Sequence, residues 1–182
     1  MGRPGQRILR ILLCHQRNTR WEGWEIKKNM LTFGVPGRDC AGFLEEHYPS
    51  REWSLICAES RPHEIELGTR LEAFTAGGYE TTVITDNMVG LCFSKQKAAG
   101  VFLFYQRMVN DGALCQGGSL LIAVLAKECG ISCNLYPTDF DLEMAEISST
   151  LSFAGDTIAP KGVKSFVPRT DRVPMSYIAR VW

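Results

Sequence analysis

Neither sign of charge is in excess: 20 Lys and Arg stand against 20 Asp and Glu in 182 residues. That balance excludes a molecule drawn as a whole to nucleic acid or to an anionic membrane. No apolar run approaches the roughly 18 residues of a spanning helix. Met1 to Arg10 carries scattered Arg without the apolar core of a signal peptide, so a cytoplasmic chain with no membrane contact is expected. No Cys-x-x-Cys pair occurs. Cys129 and Cys133 lie close together, but no matching Cys or His pair follows to complete a zinc site, so no metal is expected. The seven cysteines, an odd number, read as buried free thiols. Repeats and low-complexity tracts are absent as well, and residues 1–182 read as one domain.

What is present is an alternation of short apolar runs with amphipathic segments. Strands are expected at Ile8–Leu13, Trp53–Ala58, Thr81–Thr85, Gly100–Tyr105 and Ile131–Tyr136. Helices are expected around Cys40–His47, from about Ile65 to Ala76 (closed by Gly77-Gly78), from Asp86 through about Lys95, and over Gly118–Cys129. Gly100–Tyr105 is apolar without alternation, as in a strand covered on both faces. Strand and helix alternating at this spacing imply parallel pairing through right-handed crossovers. The expected fold is α/β, doubly wound and Rossmann-like, with a mostly parallel sheet and helices on both faces. Ligands of such sheets bind beyond the carboxyl ends of the strands. Those ends carry Glu59-Ser60-Arg61, Thr85-Asp86-Asn87, Gln106-Arg107 and Thr138-Asp139. The same residues also suit ordinary exposed loops that cap helices. The stretch from Gln16 to Pro49 is otherwise illegible, and the apolar end Tyr177, Ile178, Val181 and Trp182 reads as a buried edge or a dimer contact.

Several fragments fall in a recognisable order: Cys57-Ala58-Glu59-Ser60-Arg61-Pro62, Gly68-Thr69-Arg70-Leu71-Glu72-Ala73, Thr82-Val83-Ile84-Thr85-Asp86-Asn87-Met88, and Ala123-Val124-Leu125-Ala126-Lys127-Glu128-Cys129-Gly130-Ile131. Near the end come Ile158-Ala159-Pro160-Lys161-Gly162-Val163 and the spacing of Pro168, Asp171 and Pro174. This order resembles the family of initiation factor 2B alpha/beta/delta subunits, methylthioribose-1-phosphate isomerase and ribose-1,5-bisphosphate isomerase. The likeness covers 51–182, and 1–50 diverges. It implies a Rossmann-like domain that binds a phosphorylated sugar or nucleotide, with no cofactor, as a homodimer or paired with a homologue. The helical domain that usually precedes it is expected to be absent. In the enzymes of the family a Cys and an Asp are the catalytic pair.

The chain departs from the family pattern at the reactive positions. The family Asp lies in Gly-Ala-Asp-Arg after a buried strand. Here Phe104-Tyr105-Gln106-Arg107 stands there, so Arg107 matches while Gln106 replaces the carboxylate. A carboxamide does not exchange protons in the working pH range. Asp111 is the nearest substitute in sequence. The family Cys follows a strand in Thr-His-Cys-Asn, against which Leu13-Cys14-His15-Gln16 has the Cys and His in swapped order. Neighbouring strand residues face opposite sides, and the alternative reading of Cys14 and His15 is a buried thiol beside a partly exposed ring. Leu67 replaces a family Gln. Cys115-Gln116-Gly117-Gly118-Ser119 lacks the family Lys, but Gly117, Gly118 and Ser119 at a helix start offer N–H groups to an anion. Ser119 suits an ordinary N-cap equally. Arg61 is the best retained phosphate contact, or else an ion-pair partner of Glu59 or Asp86.

Three functions follow from the resemblance. A sugar-phosphate- or nucleotide-binding homologue without catalysis, using Arg61, Asp86, Arg107, Gly117, Gly118 and Ser119, comes first. A divergent aldose–ketose isomerase using Cys14 with Asp111 or Asp86 is the second. A regulatory subunit that pairs with a larger homologue is the third.

Overall fold

The computed structural model describes residues 27–60, 67–142, 152–153, 156–157, 162–163 and 168–182. Six parallel strands make the body of the sheet. They are β1 (Lys28–Phe33), β2 (Trp53–Ala58), β3 (Thr81–Ile84), β4 (Gly100–Val109), β6 (Ser132–Pro137) and β10 (Arg180–Val181), in the spatial order β3-β2-β1-β4-β6-β10. Two more strands extend the sheet in antiparallel pairing: β5 (Gly112–Gln116) lies against the far end of β4, and β9 (Thr170–Pro174) lies against β5. β7 (Ser152–Phe153) and β8 (Asp156–Thr157) pair with each other. The chain runs outward from β1 to β3, then returns to the centre to start β4. That reversal between β1 and β4 is the topological switch point of an open α/β sheet.

Side chains alternate across the central strands, and this alternation builds two cores. Met30, Leu55, Cys57, Phe102 and Phe104 face helices α1 (Cys40–His47) and α2 (Leu67–Ala76), meeting Leu44 and Phe74. Leu31, Phe33, Ile56, Val101 and Leu103 face the other way, toward α3 (Val89–Ser94) and α4 (Ser119–Glu128), meeting Val89, Phe93, Ile122 and Ala123. The period of two along each strand therefore requires cover on both faces. The doubly wound expectation holds.

Among the expected elements, the strands at 53, 81, 100 and 131 and the four helices appear within a few residues of their expected bounds. β4 is longer than expected because it continues past the parallel sheet into the β4–β5 hairpin. β1 falls in the illegible stretch, and the expected strand Ile8–Leu13 lies outside the described residues. The C-terminal apolar end is used inside the fold. Tyr177 and Ile178 pack on the α4 side, and Trp182 meets Phe43 edge-on at 4.9 Å and His47 tilted at 4.8 Å, beneath Arg180 at 4.7 Å. Of the four, Val181 is exposed and the other three are partly buried. Among the described residues no helix is long and apolar enough to cross a membrane.

Six cysteines fall among the described residues; none is in a disulfide, and all are buried except the half-buried Cys129. Burial pushes the thiols of Cys40 and Cys133 up to about 12, with Cys57 adding to the effect at Cys40. The folded state thus holds these groups neutral, while the unfolded chain ionises them near their ordinary value of 9.0. Their contribution is complete below that value and is lost as pH rises toward 12. Urea denaturation is expected to show stability falling once the unfolded thiols ionise, by at most about 1.4 kcal/mol per thiol and pH unit. A flat profile between about pH 8 and 10.5 would contradict the assignment.

Candidate functional site

The carboxyl ends of β1, β2, β3 and β5 are laced together at the switch point. β1 ends in Thr32-Phe33, and Gly34 after it takes a left-handed φ of 93° that favours a residue without a Cβ. Its N–H donates to Ser60 Oγ at 3.1 Å. Ser60, just past β2, is 2% exposed and also left-handed, at φ 65°. For a residue with a side chain this conformation costs on the order of 1 kcal/mol. Bonds on either side hold it there: its N–H donates to Asp86 Oδ1 at 2.8 Å, and its carbonyl accepts from Gln116 Nε2 at 3.2 Å. Asp86 therefore has a defined structural task, fixing the strained turn after β2. Gln116 is 2% exposed, and its Oε1 has no partner among the described residues.

Gln106 sits where the pairing of β4 with β5 slips register, between Tyr105 and Arg107. Such bulges re-aim a side chain. Its Nε2 donates to Asp141 Oδ1 at 2.9 Å, while its buried Oε1 has no partner among the described residues. Asp111 is not brought to this place. It lies at the tip of the β4–β5 hairpin, on the order of 10 Å or more from Gln106 along an extended strand, and pairs with Arg172 at 3.1 Å. Arg107 is exposed on the same hairpin. Cys14, His15 and Arg61 lie outside the described residues.

At the start of α4 the anion is already supplied by the chain. β9 pairs with β5 so that Asp171 lies opposite Cys115. Its Oδ2 accepts from the N–H groups of Gly118 at 2.7 Å and Leu120 at 3.2 Å, and Gly117 N–H donates to the Arg169 carbonyl at 2.7 Å. A carboxylate there satisfies donors that the first turn leaves unpaired and opposes the helix dipole favourably. Ser119 is not the N-cap. It is the first helical residue, fully buried, and its Oγ has no partner among the described residues. An external anion at Gly117–Ser119 would have to displace Asp171.

The residues that follow Gly34 border a cleft of about 300 Å³. The loop after β1 forms one wall with Val35, Pro36 and Arg38, the loop after β6 forms another with Asp139 and Phe140, and Phe74 of α2 adds a third. Arg38 Nε and Asp139 Oδ2 pair across it at 2.9 Å. Gly37 lets the two loops meet, because a Cβ there would stand 2.9 Å from the Pro137 carbonyl oxygen. Sequence reasoning misses the loop after β1 altogether. Its one signal is the pair Gly34 and Gly37 between a strand and a helix.

Residues 25–181 match the family model described as the initiation factor 2 subunit family. The chain belongs to that family. The matched span begins after Cys14 and His15. The chain is similar to methylthioribose-1-phosphate isomerase of Exiguobacterium sibiricum, 25% identical over an alignment of 143 residues that covers 70% of this chain and 40% of the relative. It is also similar to 5-deoxyribose 1-phosphate isomerase of Clostridium botulinum, 30% identical over 62% of this chain and 36% of the relative. This family member thus spans about two fifths of the curated relatives it matches. Among solved structures it shares its fold with the delta subunit of translation initiation factor eIF-2B from A. fulgidus (TM-score 0.68, 24% identity, 86% of this chain and 52% of that one). It shares it likewise with 5-methylthioribose 1-phosphate isomerase from Pyrococcus horikoshii (TM-score 0.66, 20% identity, 85% and 49%).

Proposed function

We propose that this family member binds a phosphorylated sugar or nucleotide at the strand-end cleft and does not isomerise it. The reading is supported by one correspondence, drawn from strand order and the family pattern: we take the pattern's thiol to fall on Gly34 and its carboxylate on Gln106. β1 directly precedes the strand that leads into Glu59-Ser60-Arg61-Pro62, and it runs out through Thr32-Phe33-Gly34. We take the pattern's Thr-His-Cys to correspond to Thr32-Phe33-Gly34 on this ground. The pattern's carboxylate falls on Gln106, which is tied to Asp141. An aldose–ketose exchange moves a proton between two carbons, so it needs a group that takes the proton and one that returns it. Neither glycine nor a carboxamide does either. The cleft, with its charged and apolar walls, suits a small phosphorylated molecule.

The relatives' names supply the probes. Methylthioribose 1-phosphate and 5-deoxyribose 1-phosphate, each incubated with high concentrations of the protein and followed by proton NMR, are expected to give no ketose. A ligand specific to the folded state at about 100 times its Kd adds about 2.7 kcal/mol. For a chain of this size that is a rise in Tm of roughly 5–10 °C. Ketose formation abolished by Asp141→Asn would overturn the non-catalytic half of the reading. A panel of sugar phosphates and nucleotides that leaves Tm unmoved would overturn the binding half.

A further inference from the structure

We infer that Arg38 holds the phosphate of the cleft's ligand, and that Asp139 is the counter-ion it exchanges for that phosphate; the inference rests on the ligand-binding reading above. Arg38 is the one cation among the described residues that line the cleft. It lies in the connection from β1 to α1, the strand-to-helix turn beside the reversal of strand order. In open α/β sheets this turn delivers a ligand to the start of the following helix, where backbone N–H groups favour negative charge. Cys40 and Ala41, the first residues of α1, line the same cleft, and Asp39 before them makes no side-chain cap bond. The start of α4, by contrast, is closed to this purpose by Asp171.

The geometry also explains why Asp139 matters. It meets Arg38 through Nε, and the Nη pair is the end of the fork whose spacing suits two phosphate oxygens. The Arg38 side chain is 92% exposed and that of Asp139 is 49% exposed. Ion pairs so exposed contribute little to stability, so exchanging one for a dianionic phosphate costs little. Asp139 nevertheless places a negative charge beside the position the phosphate would take, which weakens binding. Val35, Pro36, Phe74 and Phe140 give the rest of the ligand an apolar wall. The ligand class is thus a phosphomonoester with a body that rests on these side chains, rather than free phosphate alone.

Isothermal titration of ribose 5-phosphate, ribose and inorganic phosphate into the wild type, Arg38→Ala, Arg38→Lys and Asp139→Asn tests this. Arg38→Ala is expected to weaken ribose 5-phosphate about tenfold or more. Arg38→Lys recovers part of the loss, and Asp139→Asn binds several-fold tighter than wild type. Both side chains reach solvent, and an unchanged melting profile verifies that each variant folds. If the wild type binds ribose 5-phosphate and Arg38→Ala binds it equally well, the phosphate is held elsewhere and only this inference fails. If no sugar phosphate or nucleotide binds the wild type, the proposed function fails. This inference then fails with it unless Asp139→Asn takes up inorganic phosphate in an Arg38-dependent way.

Discussion

Phe104→Ala is expected to remove about 3–5 kcal/mol of stability, the cost of deleting a large aromatic from a packed core. Phe104 is 1% exposed and lies on β4 at the middle of the sheet, facing α1 and α2. β4 is held on both sides, by β1 and β6, so the backbone cannot slide inward to fill the space. The ring also supports the floor of the switch point: a Cβ on Gly34 would stand 3.7 Å from its Cδ2. Losing it leaves a cavity beneath the start of the loop that carries Arg38. Since a domain of this kind has a total stability of about 5–15 kcal/mol, the variant is expected to be marginally folded at best on warming. Urea titration of the two proteins gives the difference, and a shift in midpoint corresponding to less than about 1 kcal/mol would contradict the packing argument.

Gly117→Ala is expected to cost about 3 kcal/mol, and for a different reason. A Cβ at this position would overlap the Pro168 carbonyl oxygen and stand 3.3 Å from that of Arg169. Both are backbone atoms, so no rotamer change relieves the contact. Nor can the segment retreat freely, because Gly117 N–H donates to the Arg169 carbonyl and β9 is paired with β5 from Gly112 to Gln116. The predicted route of relief is separation of β9 from the start of α4, which pulls Asp171 from its two amide donors. Hydrogen exchange is therefore expected to speed up selectively at Gly118 and Leu120. If exchange there is unchanged while global stability falls, the strain is relieved by some other movement.

Whether an element can be read along the chain depends on how it meets its surroundings. β2 and β4 are plain in the sequence because both of their faces are buried, over Ser54–Ala58 and Gly100–Phe104. β1 is as central as either, yet Lys28-Asn29 at its start and Thr32 within it dilute its apolar signal. Thr32 is fully buried, and its hydroxyl donates to Cys57 Sγ at 3.2 Å, a partner on the neighbouring strand. The bulge at Gln106 is equally hidden, since register is a property of two strands and not of one.

Fold class, parallel crossovers and the buried thiols all follow from the order of residues alone. Each depends on residue identity or on periodicity within a short window. Which groups meet at the strand ends does not. Gly117-Gly118-Ser119 looks open to an anion until the pairing of β9 with β5 sets the Asp171 carboxylate on Gly118 and Leu120. Arg38 and Asp139 stand far apart along the chain, yet the parallel sheet ends β1 and β6 at the same edge and brings them within 2.9 Å. Contacts of this kind depend on strand order and register, which no local run of residues encodes.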